Sequence, residues 1–145
     1  MSLSATTRII VGQRSLSRIV SLRQFHSSPC RRDLYPKATQ ETFLKTTAAK
    51  DRIVLVDFYA DWCGPCRVLS PILERLVEDP DTKSGSGLPL DLVTINTEDT
   101  EGAQLGQKYK VRALPTVVAF RDGKPIDQFV GALAEPHVVN FLKGV

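Results

Sequence analysis

The sequence predicts an α/β fold, a central mixed sheet of four to five strands with helices on both faces. Three observations carry this expectation. A nearly continuous apolar run from Ile53 to Tyr59 reads as a strand covered on both sides. Behind it Val68 and Leu69, Ile72 and Leu73, then Leu76 and Val77 recur at helical spacing. Further on, Asp122-Gly123 joins two short apolar runs as a hairpin turn.

Periodicity begins near Lys37, with an amphipathic stretch from Glu41 to Ala49 that reads as a short helix before the Ile53 to Tyr59 strand. A helix then runs from the cysteines to about Glu78, with Pro71 expected to kink it because proline removes a backbone donor and crowds the preceding turn. Asp79 to Pro89, rich in Pro, Gly and Ser, reads as a loop, and Leu90 to Asn96 as an alternating strand. A helix over Glu101 to Tyr109 leads to the strand Thr116 to Phe120. The turn at 121–124 then opens the strand Ile126 to Val130, and a helix from Glu135 to Leu142 follows. Alternating strands and helices followed by a hairpin and a helix give a mixed sheet rather than a sandwich or a bundle.

The 145 residues, 42% hydrophobic and 24% charged, suit one core. The longest apolar runs, such as Ile53 to Val56, fall far short of the roughly 18 residues of a membrane-spanning helix. The net charge of +3 is unevenly shared. Residues 1–32 hold six arginines, seven serines and no acid, whereas the remaining 113 hold 13 basic and 16 acidic residues. The basic pI of about 8.9 therefore belongs to the leader and is no sign of nucleic-acid binding.

An Arg-rich, Ser-rich, acid-free and locally amphipathic leader has the composition of an organelle transit peptide, and arginines interrupt the apolar stretch that a secretory signal would need. Arg23-Gln24-Phe25-His26-Ser27-Ser28 resembles a mitochondrial two-step processing signal, with a first cut after Gln24 and removal of eight residues to leave Asp33 first. The expectation is a transit peptide over 1–32, one domain over 33–145, and residence in the mitochondrial matrix. Cys30 would leave with the leader, so the working protein would keep only Cys63 and Cys66.

Asp61-Trp62-Cys63-Gly64-Pro65-Cys66-Arg67 sits where the buried strand gives way to a helix. At a helix N-terminus the free amide donors and the positive end of the dipole favour a thiolate, which makes Cys63 the natural attacker. Cys66, about one turn on and on the same side, is placed to close a disulfide with it as the more buried resolving thiol.

Trp-Cys-Gly-Pro-Cys, the preceding Val56-Asp57-Phe58-Tyr59-Ala60, the Leu114-Pro115-Thr116 segment and Val130-Gly131-Ala132 together resemble the thioredoxin family over almost all of residues 37–145. The resemblance implies the thioredoxin fold and protein-disulfide reduction. It implies that Asp57, a carboxyl in an apolar strand, relays the proton of Cys66, and that Pro115 is a cis-proline facing the disulfide. By the same likeness the backbone of Leu114 pairs with an extended client segment, while Trp62, Gly64, Pro65, Gly131 and Ala132 border the docking surface. One departure stands out: the family commonly sets a lysine beside the Asp57 carboxyl, and Thr94 occupies that place.

A neutral Gly64-Pro65 pair favours a reductant over an oxidant or isomerase, because no imidazolium stabilises the thiolate form. The family implies a flavin-dependent, NADPH-using thioredoxin reductase as electron donor, oxidised proteins such as peroxiredoxins as clients, a monomer, and no bound cofactor, since the cysteine pair stores the electrons. A zinc site would need a second Cys or His pair, which Cys63-x-x-Cys66, His26 and His137 do not supply. The alternative is a redox-silent binding module of the same fold, suggested by the long Asp79 to Pro89 loop.

Overall fold

Five strands form a single mixed sheet in the order β1-β3-β2-β4-β5, the upper end of the expected count. The computed structural model describes residues 32–145, so the leader, its processing signal and Cys30 lie outside the described residues. In chain order the elements are β1 (Leu34–Tyr35), α1 (Gln40–Thr47), β2 (Ile53–Tyr59), α2 (Gly64–Glu78), β3 (Leu90–Asn96), α3 (Thr100–Lys108), β4 (Thr116–Arg121), β5 (Lys124–Val130) and α4 (Glu135–Lys143).

β1 is absent from the sequence expectation. Two residues carry no periodicity, and only parallel pairing with Leu92 and Val93 of β3 makes them a strand. With β1 beside it, β3 becomes an interior strand buried along nearly its whole length, rather than the alternating strand expected. β2 runs parallel to β3 and antiparallel to β4, and β4 and β5 are joined by the expected tight turn, with Asp122 at φ 52° and Gly123 at φ 75°. α2 continues through Pro71 as one element, with the ring on its exposed side.

Strand alternation divides the core into two layers. Ile53 and Leu55 of β2 pack with Leu69, Leu73, Leu76 and Val77 of α2 and with Val138 and Leu142 of α4. Val54, Val56 and Phe58 point the other way, against Phe43 of α1 and Leu105 of α3. Asp57 shares the parity of Ile53 and Leu55, so it belongs to the face that α2 covers.

The Asp79 to Pro89 connection is a loop, as expected, and it is tied down. The Gly85 and Ser86 amides donate to the carbonyls of Leu142 and Val145 at 2.8 and 3.1 Å, and Ser84 is buried and bonded to Leu88. At the domain's start the Arg32 guanidinium donates to the carbonyls of Pro80 and Thr82. The Asp33 amide donates to Asp91, which is buried and paired with Arg52 at 2.9 Å.

Candidate functional site: a disulfide at a helix N-terminus

β2 ends at Tyr59, and the turn that follows is pinned from several sides. The amide and hydroxyl of Thr97 both donate to the Tyr59 carbonyl, the Cys63 amide donates to the Ala60 carbonyl, and the Asp61 amide donates to Glu98. Arg67 closes the turn by donating to the Asp61 carbonyl at 2.7 Å. These contacts deliver Cys63 to the N-cap of α2 and leave Trp62 standing out, 70% exposed.

Cys63 and Cys66 form a disulfide with a Cα separation of 5.3 Å. The Cys66 amide donates to the Cys63 sulfur at 3.3 Å, the cap bond that would favour a Cys63 thiolate once the disulfide opens. Both cysteines are only 2% exposed, so Cys66 is not the more buried of the two as expected. What distinguishes them is position: Cys63 caps the helix and Cys66 lies inside its first turn.

Beneath the helix Asp57 is fully buried. Its Oδ2 accepts a hydrogen bond from the Ser70 hydroxyl at 3.3 Å, and its Oδ1 has no partner among the described residues. Burial pushes the Asp57 carboxyl up to about 7; the Ser70 hydrogen bond opposes the shift and nearby Glu74 adds to it. Thr94 is the register partner of Asp57 on β3, but its hydroxyl accepts from the Lys37 amide at 2.9 Å.

Leu114 packs against the cluster formed by Ala60, Cys63 and Cys66, and the Leu114–Pro115 peptide bond is cis. Thr116 fixes this loop by donating to the Ala113 carbonyl at 2.7 Å. Gly131, at φ 92°, donates its amide to the Pro115 carbonyl at 2.8 Å and brings the end of β5 to the same place. No Cβ clash bars a side chain there, so the backbone conformation rather than space selects glycine. Gly64, Pro65 and Ala132 are exposed. Trp62 and Leu114 line an open groove of about 500 Å³ with Thr97 and residues of α3, so Trp62 is a surface residue and not a core aromatic.

Sequence reasoning missed Ser70 and Glu74. Their signal was there: Cys66, Ser70 and Glu74 recur at steps of four and all three line a cavity of about 290 Å³ with Tyr59. A reversible cysteine pair at a helix N-terminus, above a buried carboxyl, is the site of a thiol–disulfide oxidoreductase.

The comparisons agree. The thioredoxin family profile matches residues 35–144. The chain is 39% identical over 103 residues to the chloroplastic thioredoxin Y1 of Arabidopsis thaliana, covering 71% of this chain and 55% of that protein. It is 41% identical over 87 residues to the mitochondrial thioredoxin-2 of Schizosaccharomyces pombe, covering 60% of this chain and 59% of that one. It thus spans little more than half the length of these two relatives. A mutant thioredoxin from Halobacterium salinarum superposes with a TM-score of 0.63 at 34% identity, covering 78% of this chain and 89% of that one. The chain belongs to the thioredoxin family.

Proposed function

We propose that this protein is a mitochondrial matrix thioredoxin that reduces protein disulfides. The observation that carries the reading is the Cys63–Cys66 disulfide at the start of α2. In the reduced protein the Cys63 thiolate attacks one sulfur of a client disulfide, forms a mixed disulfide, and the other client sulfur leaves as a thiolate. Asp57 then takes the proton of Cys66, whose thiolate attacks Cys63; the Cys63–client bond breaks and the client carries away two electrons. A carboxyl titrating near 7 is suited to accept that proton at working pH.

Docking falls to the exposed rim. The Leu114 backbone pairs with an extended client segment beside Pro115, while Trp62, Gly64, Pro65, Gly131 and Ala132 frame it. An NADPH-dependent thioredoxin reductase restores the dithiol, and oxidised matrix proteins such as peroxiredoxins are the clients of a monomeric carrier. The matrix assignment rests on the Arg-rich, acid-free leader over 1–32, with the working domain beginning at Asp33.

The test is insulin disulfide reduction by the full chain, supplied with NADPH and a thioredoxin reductase, beside a Cys63→Ser control. Turnover that vanishes in the control is expected; equal turnover in both proteins, or none in either, removes the reading. N-terminal sequencing of the protein recovered from mitochondria tests the address, and a start at Met1 would sink it.

A further inference from the structure

Asp57 is sealed from solvent, yet a base that takes a proton in each catalytic cycle must give it back. Its flanking register partners, Thr94 on β3 and Val117 on β4, have no ionisable group to receive one. Toward α2 the carboxyl's one hydrogen-bond partner among the described residues is the Ser70 hydroxyl. That hydroxyl also lies 3.0 Å from the Cys66 carbonyl, so its one proton has two acceptors. Ser70 lines the cavity of about 290 Å³ that also meets Cys66, Tyr59 and Glu74, whereas Asp57 does not reach it. The cavity is open to the surface and roomy enough for water, and Tyr59, Ser70 and Glu74 offer it polar groups on an otherwise largely apolar lining.

We propose that Ser70 is a positioning residue that passes the Asp57 proton to solvent in this cavity, resetting the base after each resolving step. The inference rests on the reading of Asp57 as the acceptor of the Cys66 proton. When Asp57 is ionised, Ser70 donates to its Oδ2. When Asp57 has taken the Cys66 proton, the carboxyl O–H donates to Ser70 Oγ and the Ser70 hydroxyl turns to the Cys66 carbonyl or to water. The Asp57 proton moves to Ser70 Oγ, the original Ser70 proton moves to water, and one proton leaves through the cavity. No electrons move in this exchange, and Ser70 ends neutral. Glu74, four residues further along α2, borders the exit and is the charged group that acts on Asp57 from that helix; Tyr59 is the titratable neighbour on β2.

The experiment compares Ser70→Ala, Ser70→Thr and Asp57→Asn in the full chain. Rapid mixing with a disulfide peptide gives the rates of mixed-disulfide formation and resolution in the first turnover, the same mixture with thioredoxin reductase and NADPH gives the steady rate, and carboxyl NMR follows the titration of Asp57. The first turnover starts from an ionised Asp57 and needs no reset, so the ratio of the steady rate to the first-turnover rate is the quantity read for Ser70. Ser70→Ala should lower that ratio by at least about tenfold and move the Asp57 titration upward, because a hydrogen bond to the carboxylate is lost. Ser70→Thr, which keeps the hydroxyl, should restore both. A normal ratio in Ser70→Ala beside slowed first-turnover resolution in Asp57→Asn overturns the role of Ser70 alone. Equal loss in Ser70→Ala and Ser70→Thr also overturns it, in favour of a packing role. Normal first-turnover resolution in Asp57→Asn overturns the reading of Asp57 beneath it.

Discussion

Asp57 and Thr94 are register partners on adjacent parallel strands, yet the Thr94 hydroxyl serves the Lys37 amide. The two residues share the face that α2 covers, as Leu55 and Leu92 do one step earlier. A cation at 94 would therefore stand beside the carboxyl. Thr94→Lys should lower the titration of Asp57 from about 7 by about one unit or more, since an opposite charge favours the ionised form. Carboxyl NMR reads this directly, and an unmoved titration would show that the lysine turns away from Asp57.

The raised carboxyl of Asp57 also bears on stability. In the unfolded chain it ionises near 3.8, in the folded one near 7, so between these values the fold holds a proton that the unfolded chain has lost. Stability from this group is fully present below about pH 4 and declines until about pH 7. About three units correspond to roughly 4 kcal/mol as an upper bound. Asp57→Asn should therefore unfold at higher urea concentration than the parent at pH 8, with the difference shrinking toward pH 4. A pH-independent gap would mean that Asp57 is not the group responsible.

Much of this arrangement was legible in the sequence because local pattern and fold coincide. Ile53 to Tyr59 is apolar but for Asp57 because β2 lies between β3 and β4 with helices on both faces, and Asp122-Gly123 is a turn because both residues take positive φ. The cysteine pair was legible from its spacing and from the strand before it. What escaped depends on contacts between distant segments. Leu34–Tyr35 is a strand only because β3 pairs with it, and that pairing buries β3 where alternation was expected. Ser70 looks like a minor polar residue in an amphipathic helix until Asp57 is found beneath it. The equal burial of Cys63 and Cys66 likewise follows from the packing of Tyr59 and Leu114 around both, which no spacing encodes.

Replacing Cys66 should separate the two chemical steps. With Cys63 capping the helix, Cys66→Ser keeps the attacking sulfur and removes the resolving one, so clients should accumulate as mixed disulfides through Cys63. Mass spectrometry of the adduct, and its disappearance in Cys63→Ser, checks the assignment; an adduct through Cys66 in Cys63→Ser would reverse it.

Trp62 offers a separation of docking from folding. At 70% exposure it contributes little to the core, so Trp62→Ala should change stability by no more than about 0.5 kcal/mol. The same change removes one wall of the groove shared with Leu114 and α3, so KM for a protein disulfide should rise while a small-molecule disulfide is reduced at nearly the same rate. A parallel loss on both substrates would place Trp62 in the chemistry rather than in recognition.

The tethered 79–89 loop predicts the opposite split. A Cβ at Gly85 would lie 2.0 Å from the Lys143 carbonyl oxygen, a backbone atom, so the loop or the end of α4 must shift to admit one. The Gly85 and Ser86 amides would then lose their bonds to Leu142 and Val145. Gly85→Ala should destabilise the fold by about 1–3 kcal/mol, the range for overpacking a tight contact. Disulfide reduction per folded molecule should persist, because the bonds that the Gly85 and Ser86 amides make lie at the C-terminal end of α4 and include none of the residues around the cysteine pair. Urea denaturation and insulin reduction on the same preparation give both numbers. Lost activity with unchanged stability would instead make the loop part of the working surface and revive the binding role that its length suggested.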